Sequence, residues 1–223
     1  MERRDHSPYH DLEHSKRQFR LLRLLSSNAG NIQCELRIVS LLDDDLPPWK
    51  ALSYRWGEES LEFLVHLNDH RLNIRSNLHT IMTQMVAEKR KEWFFIDALC
   101  IDQDNEMEKP IQVAIMGEIY QRAEEVVAWI VHDPNQCNVS TNRTTDDTTG
   151  GSVHIVSASR AHLEKVVLEN SYWSRLWIVQ EVLLAKRLTI RIGSDEIEWS
   201  NILPEKDLFG RRGLPLQNIC ISV

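Results

Sequence analysis

The sequence predicts an α/β domain built on a parallel sheet, with helices on both faces and small β-hairpin additions. Between residues 49 and 130, short apolar segments alternate with helical patterns, and this alternation favours parallel strands joined by crossover helices. The predicted strands are almost entirely apolar, which is typical of strands buried on both faces. With 223 residues and 42% hydrophobic content, the chain is long enough for one main unit with a substantial core.

The chain is predicted to divide into three regions. Residues 1–18 are polar and charged and form a flexible arm, residues 19–203 form the folded domain, and residues 204–223 form a tail or linker. Within the domain, residues 133–152 are rich in Thr and Gly and have almost no apolar side chains. We therefore expect a flexible insertion there.

The first half of the domain is predicted to contain four strands and a helix. Alternation around Cys34 indicates a strand, and "KALSYRWG" indicates a short buried strand that ends at Gly57. Residues 61–74 indicate a hairpin that turns at Asn68 and Asp69. Asn77 is expected to cap the following helix, whose apolar stripe covers one face of the sheet.

The second half continues the alternation of strands and helices. The uninterrupted apolar run "EWFFIDALCI" predicts a central parallel strand, a helical stripe follows it, and "EEVVAWIV" predicts another buried strand. Beyond the insertion we expect helices over residues 158–169 and 171–186. The segment "RLTIRIGSDEIEW" then predicts a hairpin.

Composition excludes several classes of protein. The 26 Lys and Arg residues against 33 Asp and Glu give a net charge of -7, which argues against a nucleic-acid partner. The four cysteines form no CxxC pair, so neither a zinc site nor a disulfide framework is predicted. No apolar run is long enough to cross a membrane and the N-terminus is too polar for a secretory signal, so we expect a cytoplasmic protein.

Two polar segments follow predicted strands at the edge where α/β sheets bind ligands. In the first, Ser53 to Gly57, Arg55 can hold a phosphate and Gly57 allows close approach of the backbone. Tyr54 and Trp56 can stack on a ring. Structural alternatives stay open, because Arg55 can equally pair with a carboxylate of the second segment, Trp56 can belong to the core, and Gly57 can simply end the strand.

The second polar segment runs from Asp97 to Gln103. Asp97 lies among apolar residues, and an ionised buried carboxylate requires a partner or hydrogen bonds. Together with Asp102 and Gln103 it is predicted to form the floor of the same pocket. Cys100 is interpreted as a small core residue, since no nearby histidine is placed to activate it.

A single carboxylate interrupts the apolar segment "SYWSRLWIVQEVLLAK", residues 171–186. On an α-helix, Glu181 shares a face with Ser174, Trp177 and Ala185. A carboxylate beside an aromatic ring and two small residues can accept hydrogen bonds from ligand hydroxyls or act as a base. The alternative is a salt bridge to a basic residue such as Arg175, Arg55 or Arg187.

The common phosphate-loop, dinucleotide, hydrolase and zinc-protease signatures are absent from the sequence. Three separated blocks instead resemble, in sequence, order and approximate spacing, the fungal heterokaryon incompatibility (HET) domain family. The resemblance covers about residues 19–200. The blocks are "KALSYRWG", "FFIDALCIDQDNEMEKPIQVAIMGEIYQRAEEVVAWI" and "YWSRLWIVQEVLLA".

The resemblance implies a domain of fungal non-self recognition whose activation leads to programmed cell death. It also implies a remote similarity to TIR domains, which have a flavodoxin-like parallel sheet and in several lineages cleave NAD with an essential helical glutamate. Trp177 and Glu181 match a WxxxE arrangement of TIR-like proteins, so Glu181 is the predicted catalytic residue. NAD is the implied substrate, with no metal and no further cofactor. Its predicted contacts are Ser53, Tyr54, Arg55, Trp56, Gly57, Asp97, Asp102, Gln103 and Trp177.

Three hypotheses therefore stand beside one another. In the first, the domain cleaves NAD at the nicotinamide–ribose bond. In the second, it is a non-catalytic signalling module that acts by homotypic self-association, and Glu181 is part of an internal salt bridge. In the third, it binds a nucleotide without turnover.

Overall fold

Nine strands form one mixed sheet in the part of the chain that the structure describes. The structure is a computed structural model and describes residues 7–25, 31–57, 59, 62–130, 170–174 and 179–202. The strands are β1 (Gln18–Leu24), β2 (Gln33–Ser40), β3 (Trp49–Tyr54), β4 (Glu62–Leu67), β5 (His70–Arg75), β6 (Trp93–Phe95), β7 (Glu125–Ile130), β8 (Leu188–Ile192) and β9 (Asp195–Glu198). The α-helices are α1 (Ser76–Ala87), α2 (Asp97–Cys100), α3 (Glu108–Arg122) and α4 (Trp199–Ile202). Two 3₁₀ helices, His14–Lys16 and Ser171–Ser174, and a π-helix, Val179–Leu183, complete the described elements.

The centre of the sheet is parallel. Its strand order is β5-β4-β2-β1-β6-β3-β7-β8-β9, and β6, β3, β7 and β8 all run in one direction. The chain therefore passes from β3 to β6 on one side and returns past β3 to β7 on the other. Right-handed crossovers then place α1 and α3 on opposite faces of the sheet. The predicted α/β class is confirmed.

The prediction of a parallel sheet is correct for this centre and for the short parallel pairing of β2 with β4, but not for the whole sheet. β1 is antiparallel to both β2 and β6, so the whole sheet is mixed. The connection from β1 to β2 explains the difference, because eight residues (25–32) are too few for a crossover between parallel strands. The N-terminal strands thus extend the parallel centre by antiparallel pairing.

Both predicted hairpins are present. β4 and β5 pair antiparallel and turn at Asn68 and Asp69, whose φ angles of 46° and 66° are the positive values that a type I′ turn requires. β8 and β9 form the second hairpin at the other side of the sheet. These two hairpins supply the outermost strands, β5 and β9.

The predicted strand over "EWFFIDALCI" is wrong in extent. β6 ends at Phe95, and α2 begins at Asp97. The carboxylate of Asp97 accepts the backbone N–H of Ala98 at 2.8 Å, which satisfies one of the open donors at the start of the helix. Asp97 is consequently half-buried at a strand end rather than enclosed within a strand.

Asn77 does not cap α1 as predicted. The N-cap residue is Arg75, without a side-chain capping hydrogen bond. Asn77 instead donates to the backbone oxygen of Arg55 at 3.0 Å. It therefore tethers the loop after β3 to the start of α1. The stripe of α1 is buried as expected at Leu78, Ile81, Met82 and Met85.

Part of the segment predicted as a flexible arm packs on the sheet. Pro8 and Leu12 are buried, and the Tyr9 ring lies 5.0 Å from the Arg20 guanidinium. Burial raises the pKa of Tyr9 above its ordinary value. The predicted insertion (133–152), the helix over 158–169 and the tail (204–223) lie outside the described residues.

A buried ion pair fastens β1 to α3. The Arg20 guanidinium donates to both carboxylate oxygens of Glu108, at 2.6 and 2.9 Å, and the two side chains are 1% and 4% exposed. Arg20 also donates to the backbone oxygen of Cys100, and Glu108 accepts the backbone N–H of Asp102 at 2.9 Å. The pair therefore fixes the segment that follows α2.

Candidate functional site

Three buried polar side chains meet at the carboxyl end of β3. Ser53, Tyr172 and Glu181 are 0%, 1% and 1% exposed. The Ser53 hydroxyl donates to the Glu181 carboxylate, and the Tyr172 hydroxyl lies 2.5 Å from Ser53 Oγ. Because the single proton of Ser53 is directed to Glu181, Tyr172 must donate to Ser53. The result is a hydrogen-bonded series from Tyr172 through Ser53 to Glu181, which we call the Ser53 cluster.

The Ser53 cluster lies where the order of the parallel strands reverses. β3 pairs with β6 on one side and β7 on the other, with Ser53 opposite Ala128. Open α/β sheets bind ligands outside the carboxyl ends of their strands at such a reversal point. The position of the cluster thus makes it a candidate ligand site, although its three side chains are buried.

The backbone around Glu181 differs from the predicted α-helix. Val179–Leu183 form a π-helix, a rare geometry that is frequent at functional sites. The projection at 100° per residue therefore does not hold at Glu181, and Trp177 lies outside the described residues. Leu183 and Leu184, expected within a buried run, are 39% and 41% exposed.

A second group of predicted residues lies at the neighbouring strand end. Trp56 Nε1 donates to the Asp97 carboxylate at 2.9 Å, and the Gln103 amide donates to the backbone oxygen of Asp97 at 2.9 Å. These bonds join the loop after β3 to the segment after β6. Trp56 therefore joins the two polar segments, in place of the ion pair of Arg55 that the sequence left open.

The loop after β3 is held from the side of α1. Gly57 has a φ of 81°, and a Cβ atom there would lie 2.8 Å from Asn77 Nδ2. The Arg75 guanidinium donates to the Gly57 oxygen at 3.1 Å and lies 5.4 Å from the Trp56 ring. A side chain at position 57 would displace this support, so glycine is needed for both conformation and space.

The remaining predicted site residues lie apart from these groups. Tyr54 is 2% exposed and belongs to the core, whereas Arg55 is exposed. Asp102 is buried near the Arg20–Glu108 pair, and loss of solvation raises the pKa of its carboxyl above the ordinary value. The structure thus separates the predicted pocket residues into a buried cluster, a surface group and an isolated carboxylate.

The described cysteines are not arranged for catalysis or metal binding. Cys34 and Cys100 are buried free thiols, and burial raises the pKa of each to about 12. Neither thiol forms the nucleophilic thiolate near neutral pH.

Among the described residues, no group of three or more metal-binding side chains occurs. None of the described helices is long and apolar enough to span a bilayer.

A separate charged group lies at the amino end of β7. Burial opposes ionisation of Glu125, but hydrogen bonds from Lys50 and Thr189 outweigh it, so the pKa of Glu125 is lowered. Lys50 Nζ lies 2.7 Å from the carboxylate. This group lies at the amino ends of the parallel strands, whereas the Ser53 cluster lies at their carboxyl ends. We therefore assign the group a role in stability.

Sequence reasoning did not identify Tyr172 as a partner in the cluster. Its position at the start of "YWSRLWIVQEVLLA", within the same block as Glu181, is the available signal. The ring packs edge-on against Trp173, with centroids 5.0 Å apart, which fixes the direction of the hydroxyl toward Ser53.

The fold and the site define an α/β domain with a polar cluster at the reversal point of its parallel strands. A family model described as Heterokaryon incompatibility protein (HET) matches residues 49–181, more than half of the chain. The chain therefore belongs to the heterokaryon incompatibility family. The matched region begins at the first residue of β3 and ends at Glu181, so the bond from Ser53 to Glu181 joins its two ends.

The chain is similar to Heterokaryon incompatibility protein 6, OR allele, of Neurospora crassa. The two are 33% identical over 106 residues, which cover 40% of this chain and 16% of the relative. The chain thus spans less than a fifth of that protein's length. No solved structure matches.

Proposed function

We propose that this chain is a cytoplasmic domain of fungal non-self recognition whose activation leads to programmed cell death. Membership of the heterokaryon incompatibility family and the similarity to the Neurospora protein support this proposal. The acidic net charge of -7 favours protein or small-molecule partners over nucleic acid.

The proposed activity is cleavage of NAD at the nicotinamide–ribose bond. The observation that carries it is the link between Glu181 and Ser53 at the reversal point of the parallel strands. The parallel strands follow one another along the chain as β3, β6, β7 and β8, but they lie across the sheet in the order β6-β3-β7-β8. This 2-1-3-4 order is the one that flavodoxin-like sheets have, and it supports a TIR-like arrangement. Glu181 would contact the ribose hydroxyls there.

The chemistry requires little beyond one carboxylate. The bond from C1′ of the ribose to nicotinamide breaks, its electron pair moves into the pyridinium ring, and neutral nicotinamide leaves. Water then adds to C1′ and releases a proton. Glu181 stabilises the positive charge that develops on the ribose, as carboxylates do in glycoside hydrolysis. Arg55, Trp56 and Gly57 would contact the phosphates and ring. Asp97 and Gln103, which Trp56 joins to this loop, would line the floor, whereas Tyr54 in the core and Asp102 near Arg20 would not contact NAD.

Burial of the cluster adds a condition to this mechanism. Glu181 is 1% exposed, so a ribose reaches it only after Ser53 exchanges its hydrogen bond for one to the ligand. We therefore expect the monomer to be inactive, with turnover appearing when self-association opens the cluster.

The second candidate is a non-catalytic module that acts by self-association. The hydrogen bond from Ser53 and the complete burial of Glu181 favour it, because they are also the properties of a structural carboxylate. In this case the exposed surfaces carry the function. Nucleotide binding without turnover is the third possibility, and it predicts thermal stabilisation by NAD without product.

The deciding experiment measures nicotinamide release from NAD by purified protein, from dilute to concentrated samples. The wild type should release nicotinamide at high concentration, whereas Glu181→Ala and the nearly isosteric Glu181→Gln should not. Glu106→Gln is the matched control, because Glu106 is exposed on the loop before α3. Equal release by wild type and Glu181→Ala under every assembled condition removes the catalytic proposal and leaves self-association and nucleotide binding without turnover as the two candidates.

A further inference from the structure

The two outer strands of the sheet carry opposite charge. β5 contains His70, Arg71 and Arg75 and no acidic residue, while β9 contains Asp195, Glu196 and Glu198 and no basic residue. In the part of the chain that the structure describes, each of these strands has one strand neighbour. The outer edges of the sheet are therefore a basic edge at β5 and an acidic edge at β9.

Part of this charge is not neutralised within the molecule. Arg75 pairs with Glu59, and Glu196 pairs with Arg90 and Arg191. Within the described ranges, Arg71, Asp195 and Glu198 are exposed and form no ion pair.

Among the described residues, the charges of the two edges do not neutralise each other. β5 and β9 are not paired with each other, and Arg75 pairs with Glu59 while Glu196 pairs with Arg90 and Arg191. Each edge therefore presents its own charge to solvent.

We infer that copies of this chain associate edge to edge, with β5 of one copy beside β9 of the next. This inference rests on the proposed self-association and names its surface. An outer strand offers unpaired backbone donors and acceptors to another strand. Like charges oppose pairing of β5 with β5 or β9 with β9, while opposite charges favour pairing of β5 with β9. Because this contact uses two different surfaces, it repeats without closing and yields a linear assembly.

The test is charge reversal with exchange of partners. Arg71→Glu replaces the unpaired positive charge of the basic edge with a negative charge. Asp195→Lys combined with Glu198→Lys replaces the unpaired negative charges of the acidic edge with positive charges. Neither variant should assemble alone, whereas an equimolar mixture should recover assembly. Light scattering and sedimentation at low salt measure the mass, and about 1 M salt should dissociate the wild type because the Debye length falls to about 3 Å.

Exposed charges away from the edges supply the controls. Lys109→Glu and Glu106→Lys lie on or beside α3 and should assemble like the wild type. Should a variant fail to fold by circular dichroism, hydrogen exchange of the wild type still decides, because amides of β5 and β9 should gain protection as concentration rises. Assembly that is unaffected by the reversals, or without that protection, overturns the edge contact but leaves self-association standing. A wild type that stays monomeric at every concentration overturns both.

Discussion

Glu108→Ala removes the partner of a buried guanidinium and is expected to destabilise the fold strongly. Arg20 is 1% exposed, and breaking a buried ion pair costs about 3 to 5 kcal/mol. Arg20 keeps hydrogen bonds to the backbone oxygens of Cys100 and His10, so we expect the lower value, about 3 kcal/mol. For a chain of this size that corresponds to a fall in Tm of about 6 to 12 °C.

Urea unfolding followed by tryptophan fluorescence measures this loss. Glu118→Ala is the matched control, because the Arg17–Glu118 pair has an N–O distance of 2.5 Å but is 39% and 26% exposed. Such a pair contributes about 0 to 1 kcal/mol. Arg20→Met combined with Glu108→Leu should recover most of the stability, since apolar residues replace buried ion pairs at little cost. A loss for Glu108→Ala no greater than for Glu118→Ala refutes the reasoning.

Three further predictions concern the site and its surroundings. Ser53→Ala removes a donor to the buried Glu181 carboxylate and should lower the unfolding free energy by about 1.5 to 3 kcal/mol in urea titrations; an unchanged midpoint contradicts the cluster. Gly57→Ala places a Cβ atom at a positive φ and against the Asn77 side chain. It should lower the free energy of unfolding by about 1 kcal/mol or more, as measured by thermal melting, and an unchanged Tm would contradict this constraint on the loop. The pKa of Glu125 is lowered in the folded state, so its ionised carboxylate stabilises the fold above the ordinary pKa of about 4.5, and this stabilisation is lost as pH falls through the pKa of the folded state. Glu125→Gln should therefore lose less stability than the wild type between about pH 6 and pH 3. Parallel curves of unfolding free energy against pH for the two proteins would exclude a stabilising role of the Glu125 charge.

Sequence patterns within a short segment predicted the strands and turns that depend on interactions within that segment. The five apolar residues of β7, from Val126 to Ile130, are buried as their unbroken run indicates, and Asn68 and Asp69 predicted a turn from their own backbone preferences. The mixed sheet was not predicted in full, because β1 pairs with β6 across more than 70 residues. Such pairing depends on tertiary packing rather than on any segment alone.

The candidate site was predicted in its parts but not in its arrangement. Ser53 and Glu181 are 128 positions apart, and Tyr172 is 119 positions from Ser53. Both polar segments could be located from the sequence, because in each case polar residues follow directly after the apolar run of a predicted strand. Their division into a buried cluster and a second group near the surface could not be predicted, because the partly buried Trp56 and the fully buried Ser53 belong to the same polar segment after a strand.

The π-helix at Val179–Leu183 constrains how this family can change in evolution. A π-helix bonds each residue to the fifth along, one position further than an α-helix. Deleting one residue here would restore α-helical bonding and rotate one flank relative to the other by about 100°. Glu181 would then turn away from Ser53. Substitutions in this segment should therefore be tolerated more readily than gaps, and alignments of heterokaryon incompatibility proteins should keep its length constant even where its side chains vary.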